Sequence, residues 1–182
     1  TVVDDGLTRS WHGVGYKVAE PTIDIHVDCF PRWTTNAARI GRSGRAEMIS
    51  SRLARADHTL ARDMGLKVGA QIFVAELVRS VDDRPLAVSR SFFPAGRLEG
   101  ILDDICETGS VTEGLARHGV VDCRRIQTRL EARMPTAHEA LLIGIPKGQP
   151  VLVSTGVNVE PTGSVVEVSV SVFRADSVKF EI

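Results

Sequence analysis

The sequence has no surplus of charge of either sign: 22 Lys and Arg stand against 23 Asp and Glu, for a net charge of −1 and a pI near 6.5. The chain as a whole therefore offers no electrostatic footprint for nucleic acid or an anionic membrane, and any DNA role is expected in a small patch or in sequence outside it. Also missing is an apolar run of the ~18 to 20 residues that would span a bilayer. The start, TVVDDGLTRS, lacks the charged-then-apolar pattern of a signal peptide. A cytoplasmic protein with no membrane partner is the simplest expectation. Three cysteines, Cys29, Cys106 and Cys123, are an odd number without C-x-x-C spacing, which argues against a disulfide framework and a structural zinc site. The five histidines show no H-x-x-x-H spacing, no serine sits in a G-x-S-x-G elbow, and no phosphate-binding G-x-x-x-x-G-K-[ST] loop occurs. The Gly-Val-Gly at 13–15 lacks the strand-then-helix setting of a dinucleotide site and reads as a turn. No catalytic residue, metal or cofactor is expected.

What is present is a globular composition, 43% hydrophobic and 25% charged over 182 residues, enough for one sizeable core. Residues 1–22 read as a small hairpin ending in a proline. A short alternating run follows from residue 23, with a helix near 33–40 closed by Gly41 and Gly44. Residues 46–55 read as a strand. DHTLARDMG reads as a short helix, with Asp57 as N-cap and Gly65 closing it. QIFVAELVRS and PLAVSRSFF form a hairpin across VDDRP. GSVTEGLARHG has S-x-x-E capping spacing at Ser110 and Glu113, VVDCRRIQTRLEARM is a long strand, and PTAHEALLIG repeats the capping logic with Thr136 and Glu139. Residues 150–159 and 164–174 give a second hairpin around EPTG.

Residues 64–93 align without a gap on residues 143–172, 79 positions later. Each copy runs from a helix end through Gly-x-x-x-Gly into a strand, a turn and a second strand. The fold class expected is α/β (α+β): a largely antiparallel sheet with helices, built from two related helix–hairpin units. The gapless alignment matches Val88 with Glu167 and Arg90 with Ser169, which predicts equivalent sheet faces for Arg90 and Glu167.

Arg90 shares a strand face with Leu86, Val88 and Phe92. There it must snorkel, meet a carboxylate, or bind an anion to which its planar guanidinium is suited. The long strand is expected to put Arg125, Gln127, Arg129, Glu131 and Arg133 on one face, either solvated or assisting an anion, and Ile126, Leu130, Ala132 and Met134 on the other. The helix starting at Ser110 offers backbone N–H groups and the hydroxyls of Ser110 and Thr112, either as a plain cap or as an oxyanion cradle. In VVEVSVSVFRAD, Val166, Val168, Val170 and Val172 alternate with Glu167, Ser169, Ser171 and Phe173. Cations, hydroxyls and one carboxylate without a nucleophile suit the holding of a small anion, not its transformation.

The helix end A-R-D-M-G-L, R-P-L-A-V-S-R-S-F-F-P, S-V-T-E-G-L, R-R-I-Q-T-R-L-E-A-R and E-V-S-V-S-V-F-R-A-D resemble the UTRA effector-binding domain of HutC-type GntR transcription regulators. Within that group, R-R-x-Q-T-R and E-x-S-V-S-x-x-R-A-D are most similar to the phosphonate-metabolism, PhnF-like regulators. The resemblance covers about residues 23–182. Residues 1–22 resemble the wing that ends a winged helix-turn-helix, whose groove-entering helices would lie outside this chain. It implies a chorismate-lyase-like fold and a homodimer. It also implies a small anionic effector, phosphonate or organophosphate, and operator DNA reached only through a helix-turn-helix largely absent here. By this resemblance Arg90, Ser110 and Thr112 would hold the anion, Arg129 or Arg133 would assist, and Glu167 would take the effector's polar end, with Ser169 and Phe173 beside it. The sequence departs at Thr112 and Phe173, where sugar-phosphate-binding relatives often carry tyrosine. A small chorismate-lyase-type enzyme and a pure dimerisation module are the alternatives.

Overall fold

Local signals set most of the elements. In the computed structural model, which describes residues 8–11, 15–18, 23–26, 33, 37, 38 and 41–181, the chain runs β1 (Thr8–Trp11), β2 (Gly15–Val18), β3 (Ile23–His26), β4 (Gly44–Arg55), α1 (His58–Met64), β5 (Gln71–Val81), β6 (Arg84–Pro94), α2 (Ile101–Thr108), α3 (Val111–Arg117), β7 (Arg124–Arg133), α4 (Ala137–Leu142), β8 (Val151–Val159), β9 (Val165–Arg174) and β10 (Val178–Glu181). The Asp57 carboxylate accepts from the Leu60 N–H, and Gly65 ends α1 in the left-handed region at φ 65°. At α4 the capping box is complete, the Thr136 side chain accepting from the Glu139 N–H and the Glu139 carboxylate from the Thr136 N–H. Helix α2 has no counterpart among the sequence signals. It begins at Gly100 with no side-chain cap, and only Ile101 and Ile105 of its residues are buried. Most of the helix expected at 33–40 lies outside the described residues.

Six strands form one antiparallel sheet in the order β4-β5-β6-β9-β8-β7. Separate small ladders join β1 to β2 antiparallel and β3 to β10 parallel. The internal repeat is visible in this order: β4, α1, β5 and β6 form one unit, β7, α4, β8 and β9 the other, and β6 meets β9 at the centre. The units are interleaved, since α1 packs on β9 and α4 on β6.

The gapless alignment fails in the second strand of each hairpin. Ile72 pairs with Pro94 and its counterpart Val151 pairs with Arg174, an offset of 79 on the first arm and 80 on the second. The extra residue sits in the turn. Val81 pairs with Arg84 across Asp82 and Asp83, both at positive φ, as a two-residue primed turn requires. In the second unit Val159 pairs with Val165 across the longer stretch 160–164. A one-residue slip sends every side chain to the opposite face. The structural counterparts are therefore Arg90 with Val170 and Ser89 with Ser169. Glu167 lies on the face opposite Arg90, correcting the expectation that they share one.

One face of the sheet is covered at β4, β5 and β6 by α2 and α3, which pack Leu98, Ile101, Ile105, Val111 and Leu115 onto Ala75, Leu77 and Phe93. The opposite face carries α1, with Ala61 and Met64 on Ile72, Val74, Val157 and Val168, and α4, with Ala140 on Val88, Val153 and Val172. A further correction concerns β7. A bulge between the Arg125–Asn158 and Gln127–Val157 pairs takes up Ile126 and turns Arg125 onto the α2–α3 face, away from Arg129 and Arg133. The apolar side of β7 is exposed rather than covered, with Ile126 at 52%, Leu130 at 41% and Met134 at 53%.

Candidate functional site

Two rows of small residues cross the middle of the α2–α3 face: Ser89, Ser171 and Ser154 in register, then Ser91, Ser169 and Gly156. Short side chains leave the space above the sheet's centre to longer ones rooted at its margins, and two of these are arginines. Arg125 comes from β7 and lies across Gly156, where a Cβ would stand 2.4 Å from the guanidinium carbon. Its Nε donates to Asn158 Oδ1 at 3.1 Å and its Nη2 to Ser169 Oγ at 3.1 Å. Asn158 passes the connection on, donating Nδ2 to Glu167 Oε2 at 2.7 Å, while Ser91 Oγ donates to Glu167 Oε1 at 2.6 Å. Arg79 enters from β5, its Nε donating to Ser89 Oγ at 2.8 Å. Among the described residues its two terminal nitrogens carry no hydrogen bond.

Burial dominates the electrostatics. It pushes the pKa of Arg79 below the ordinary value, with Glu167 pulling it back up and Arg125 depressing it further. Burial lowers Arg125 as well, again opposed by Glu167. Both arginines are half-buried, and an arginine does not give up its proton in a protein, so the shift appears as the cost of holding two partly desolvated cations against one carboxylate. Such an excess of partly desolvated positive charge is unfavourable unless an anion joins it. Beside this network the Cys123 thiol is pushed up by burial and by Glu167, Glu160 and Asp122, so it stays protonated and inert.

The expected site residues divide between the two faces. Glu167 and Ser169 belong to the polar network, and Phe173 lies on the same face, in register with Ala87, the partner of Arg79. Phe173 is buried and meets Phe180 edge-on at 5.4 Å. Ser110 caps α3, its Oγ accepting from the Glu113 N–H at 3.2 Å, and Thr112 is half-buried in the first turn. The junction before them packs on β4, a Cβ at Gly109 standing 3.2 Å from the Ala46 carbonyl oxygen. Ala46 pairs with Arg79, so this junction overlies the strand beside that arginine.

Arg90, Arg129 and Arg133 lie on the other face, each against a carboxylate of its own chain. Arg90 Nε donates to Glu76 Oε1 at 2.8 Å, and His138 Nε2 lies 3.0 Å from Glu76 Oε2. Burial raises the Glu76 pKa, but the bonds from His138 and Arg90 outweigh it and hold the carboxyl below its usual range. Arg129 pairs with Asp63 of α1, and Arg133 makes a two-toothed pair with Glu139 of α4 at 2.7 and 2.8 Å. These pairs tie the helices to the sheet. Arg79 and Asn158 carry no expectation from the sequence, and Arg125 was expected only within the charged row with Arg129 and Arg133, on the face it does not occupy. Arg79 was detectable as a cation continuing the inward row Ala75, Leu77; Arg125 was hidden by the bulge.

The architecture and the relatives define a regulator's effector domain. Residues 39–179 match the UTRA domain family, and the chain belongs to it. It is 28% identical over 180 residues to the probable transcriptional regulator PhnF of Escherichia coli, spanning 98% of this chain and 74% of that protein. With the HTH-type transcriptional repressor NagR of Bacillus subtilis it shares 26% over 179 residues, spanning 98% of this chain and 73% of the relative. Among solved structures, PhnF of Mycobacterium smegmatis superposes with a TM-score of 0.83 at 22% identity, covering 99% of this chain and 79% of that one. The effector domain of the same protein gives 0.76 at 21%, covering 87% and 97%. The relatives are named as transcriptional regulators, and the chain is a PhnF-like regulator domain, not an enzyme. Among the described residues no helix is long and apolar enough to cross a membrane, and no cluster of three or more His, Cys, Asp or Glu could hold a metal ion.

Proposed function

We propose that this chain is the ligand-sensing and dimerising part of a cytoplasmic DNA-binding regulator, and that its effector is a small anion, a phosphonate or a related phosphorylated metabolite. The observation that carries this reading is the pair of half-buried arginines, Arg79 and Arg125, on the face of a single carboxylate, Glu167, with terminal nitrogens of Arg79 unengaged among the described residues. A dianionic phosphonate would neutralise the excess charge and take guanidinium and hydroxyl donors together. Arg79 and Arg125 hold the anion, Ser89, Ser110 and Thr112 supply hydroxyls around it, and Glu167 with Ser169 receives the effector's other end. Phe173 bounds the site. The amino-terminal 22 residues, read as the wing and linker of a helix-turn-helix, would pass the occupancy of the site to DNA. A ligand does so only through unequal affinity for two arrangements of the DNA-binding domains.

Arg90, Arg129 and Arg133 are assigned to the ion pairs on the far face. A thermal-shift screen against methylphosphonate, inorganic phosphate, urocanate and sugar phosphates tests the reading. One of the phosphorylated or phosphonate compounds raises the melting temperature, Arg79→Ala removes the shift, and Arg90→Ala keeps it. No shift with any compound at millimolar concentration, or a shift lost only in Arg90→Ala, contradicts the assignment.

A further inference from the structure

The segment between β6 and β7, residues 95–123, carries α2 and α3 and covers the sheet up to the margin of the arginine-lined site. Its apolar core takes in Phe93, two residues beyond Ser91 on β6, and Val166, the chain neighbour of Glu167 on β9. At the α2–α3 junction Gly109 packs on the Ala46 carbonyl, beside Arg79. Helix α2 is seated on β4 and β5, both strands of the first unit. To the second unit the segment is tied much more sparsely. Among the described residues, the hydrogen bonds from 95–123 to that unit are those of Arg97 with Glu160: Nη1 donates to Oε1, and Nη2 to Oε2 at 2.6 Å.

The two partners of this ion pair are held differently. Glu160 is buried and fixed in its turn, its N–H donating to the Ser164 carbonyl at 3.1 Å and its carbonyl accepting from the Gly163 N–H at 2.9 Å. Thr162 Oγ1 donates to its Oε1 at 2.8 Å. Arg97 is exposed and stands between Gly96 and Gly100, the latter at φ 88°. Beyond α3, Gly119 lies at φ 75°. Glycines at the two ends of a segment can absorb the backbone rotation of a hinge. Glu160 also lies two residues beyond Asn158 of the site, and its charge acts together with that of Glu167 on the Cys123 thiol. Cover, second unit and site therefore meet at this pair.

We propose that Arg97 and Glu160 form a clasp, and that its release lets the α2–α3 segment swing from the sheet so that the effector enters or leaves. A two-toothed guanidinium–carboxylate pair fixes a segment in one orientation, and exposure of one partner to water lets it open. The clasp joins the first unit to the second, as an anion on Arg79 and Arg125 would.

This inference rests on the sensing reading and adds how the site opens. Hydrogen–deuterium exchange of the whole 182-residue chain reads the clasp without a ligand. In Arg97→Ala and in Glu160→Gln the amides of α2 and α3 exchange about fivefold faster, while those of α1 and α4 keep their rates. The double variant exchanges no faster than either single one, as two partners of one contact require. Phosphorus NMR line shapes of methylphosphonate or inorganic phosphate, whichever shifts the parent's melting temperature, give association and dissociation rates, and both rise in the variants. Unchanged exchange in α2 and α3, or an equal rise in α1 and α4, overturns the clasp and leaves the anion-induced shift of the parent standing. Faster exchange in α2 and α3 with unchanged anion rates overturns its role in entry. No shift of the parent with either anion, with α2 and α3 loosened in the variants, overturns the sensing reading and the effector's passage but keeps the clasp.

Discussion

Gly156 decides where a guanidinium can lie. With no side chain there, Arg125 crosses β8 to reach Ser169, and a methyl group at that position would overlap its Cζ and Nε, at 2.4 and 2.6 Å. The obstructed atoms are the far end of a flexible side chain, so Gly156→Ala is expected to fold and to displace the arginine. The protein should keep its melting temperature within a few degrees and lose the anion-induced shift; retention of the full shift would show that Arg125 does not hold the anion. On the opposite face, Glu139 illustrates charge used for stability. The hydrogen bonds from Arg133 outweigh burial and, with the Thr136 N–H, hold its carboxyl down to about 2. A carboxyl depressed in the folded state contributes stability above its unfolded pKa and loses it as pH falls through the folded value. Denaturation midpoints of the parent should therefore fall between about pH 4.5 and 2, and Glu139→Gln, lower by about 2 kcal/mol at pH 7, should fall less over that window.

Helices α2 and α3 meet at a glycine. A Cβ on Gly114 would stand 2.8 Å from Ile105 Cγ1, 3.3 Å from Ile101 Cδ1 and 3.5 Å from the Ile105 backbone nitrogen. Gly114→Ala should cost about 1–3 kcal/mol by overpacking, read as a lower denaturation midpoint. A neutral result would mean that α2 shifts freely over the sheet. The same scale shows what a sequence can reveal. Caps and closing glycines located α1, α3 and α4, because the signals lie within a few residues of each helix end. Helix α2, entered from an uncapped glycine, gave no such signal. Alternation located the strands and the 79-residue repeat suggested the paired units, but one extra residue in the 160–164 turn reversed the facing of every side chain in β9 relative to the alignment. That single slip joined Glu167 to Arg90 on paper, and with the bulge at Ile126 it concealed the partners Glu167 has, Ser91, Asn158 and, through Asn158, Arg125. Turn length and bulges are tertiary facts, set by how two strands pair and not by either strand alone.

Interleaving makes the whole sheet one structural unit. Because α1 packs on β9 and Arg129 of β7 reaches Asp63 of α1, neither half contains its own complete core. A fragment ending at Gly119 is expected to show no cooperative unfolding transition, whereas the 182-residue chain shows one; a cooperatively folded fragment would contradict the interleaved description. The same construction places the site at the junction of the halves, with Arg79 and Ser89 from one and Arg125, Asn158 and Glu167 from the other. An anion bridging the two arginines would therefore act on the relation between the units, and through it on an attached DNA-binding domain. The most direct measurement is a crystal structure with the best compound from the screen. Its phosphonate or phosphate oxygens are expected within about 2.7–3.2 Å of the Arg79 and Arg125 guanidinium groups. An anion found instead against Arg90, Arg129 or Arg133 on the far face would contradict it.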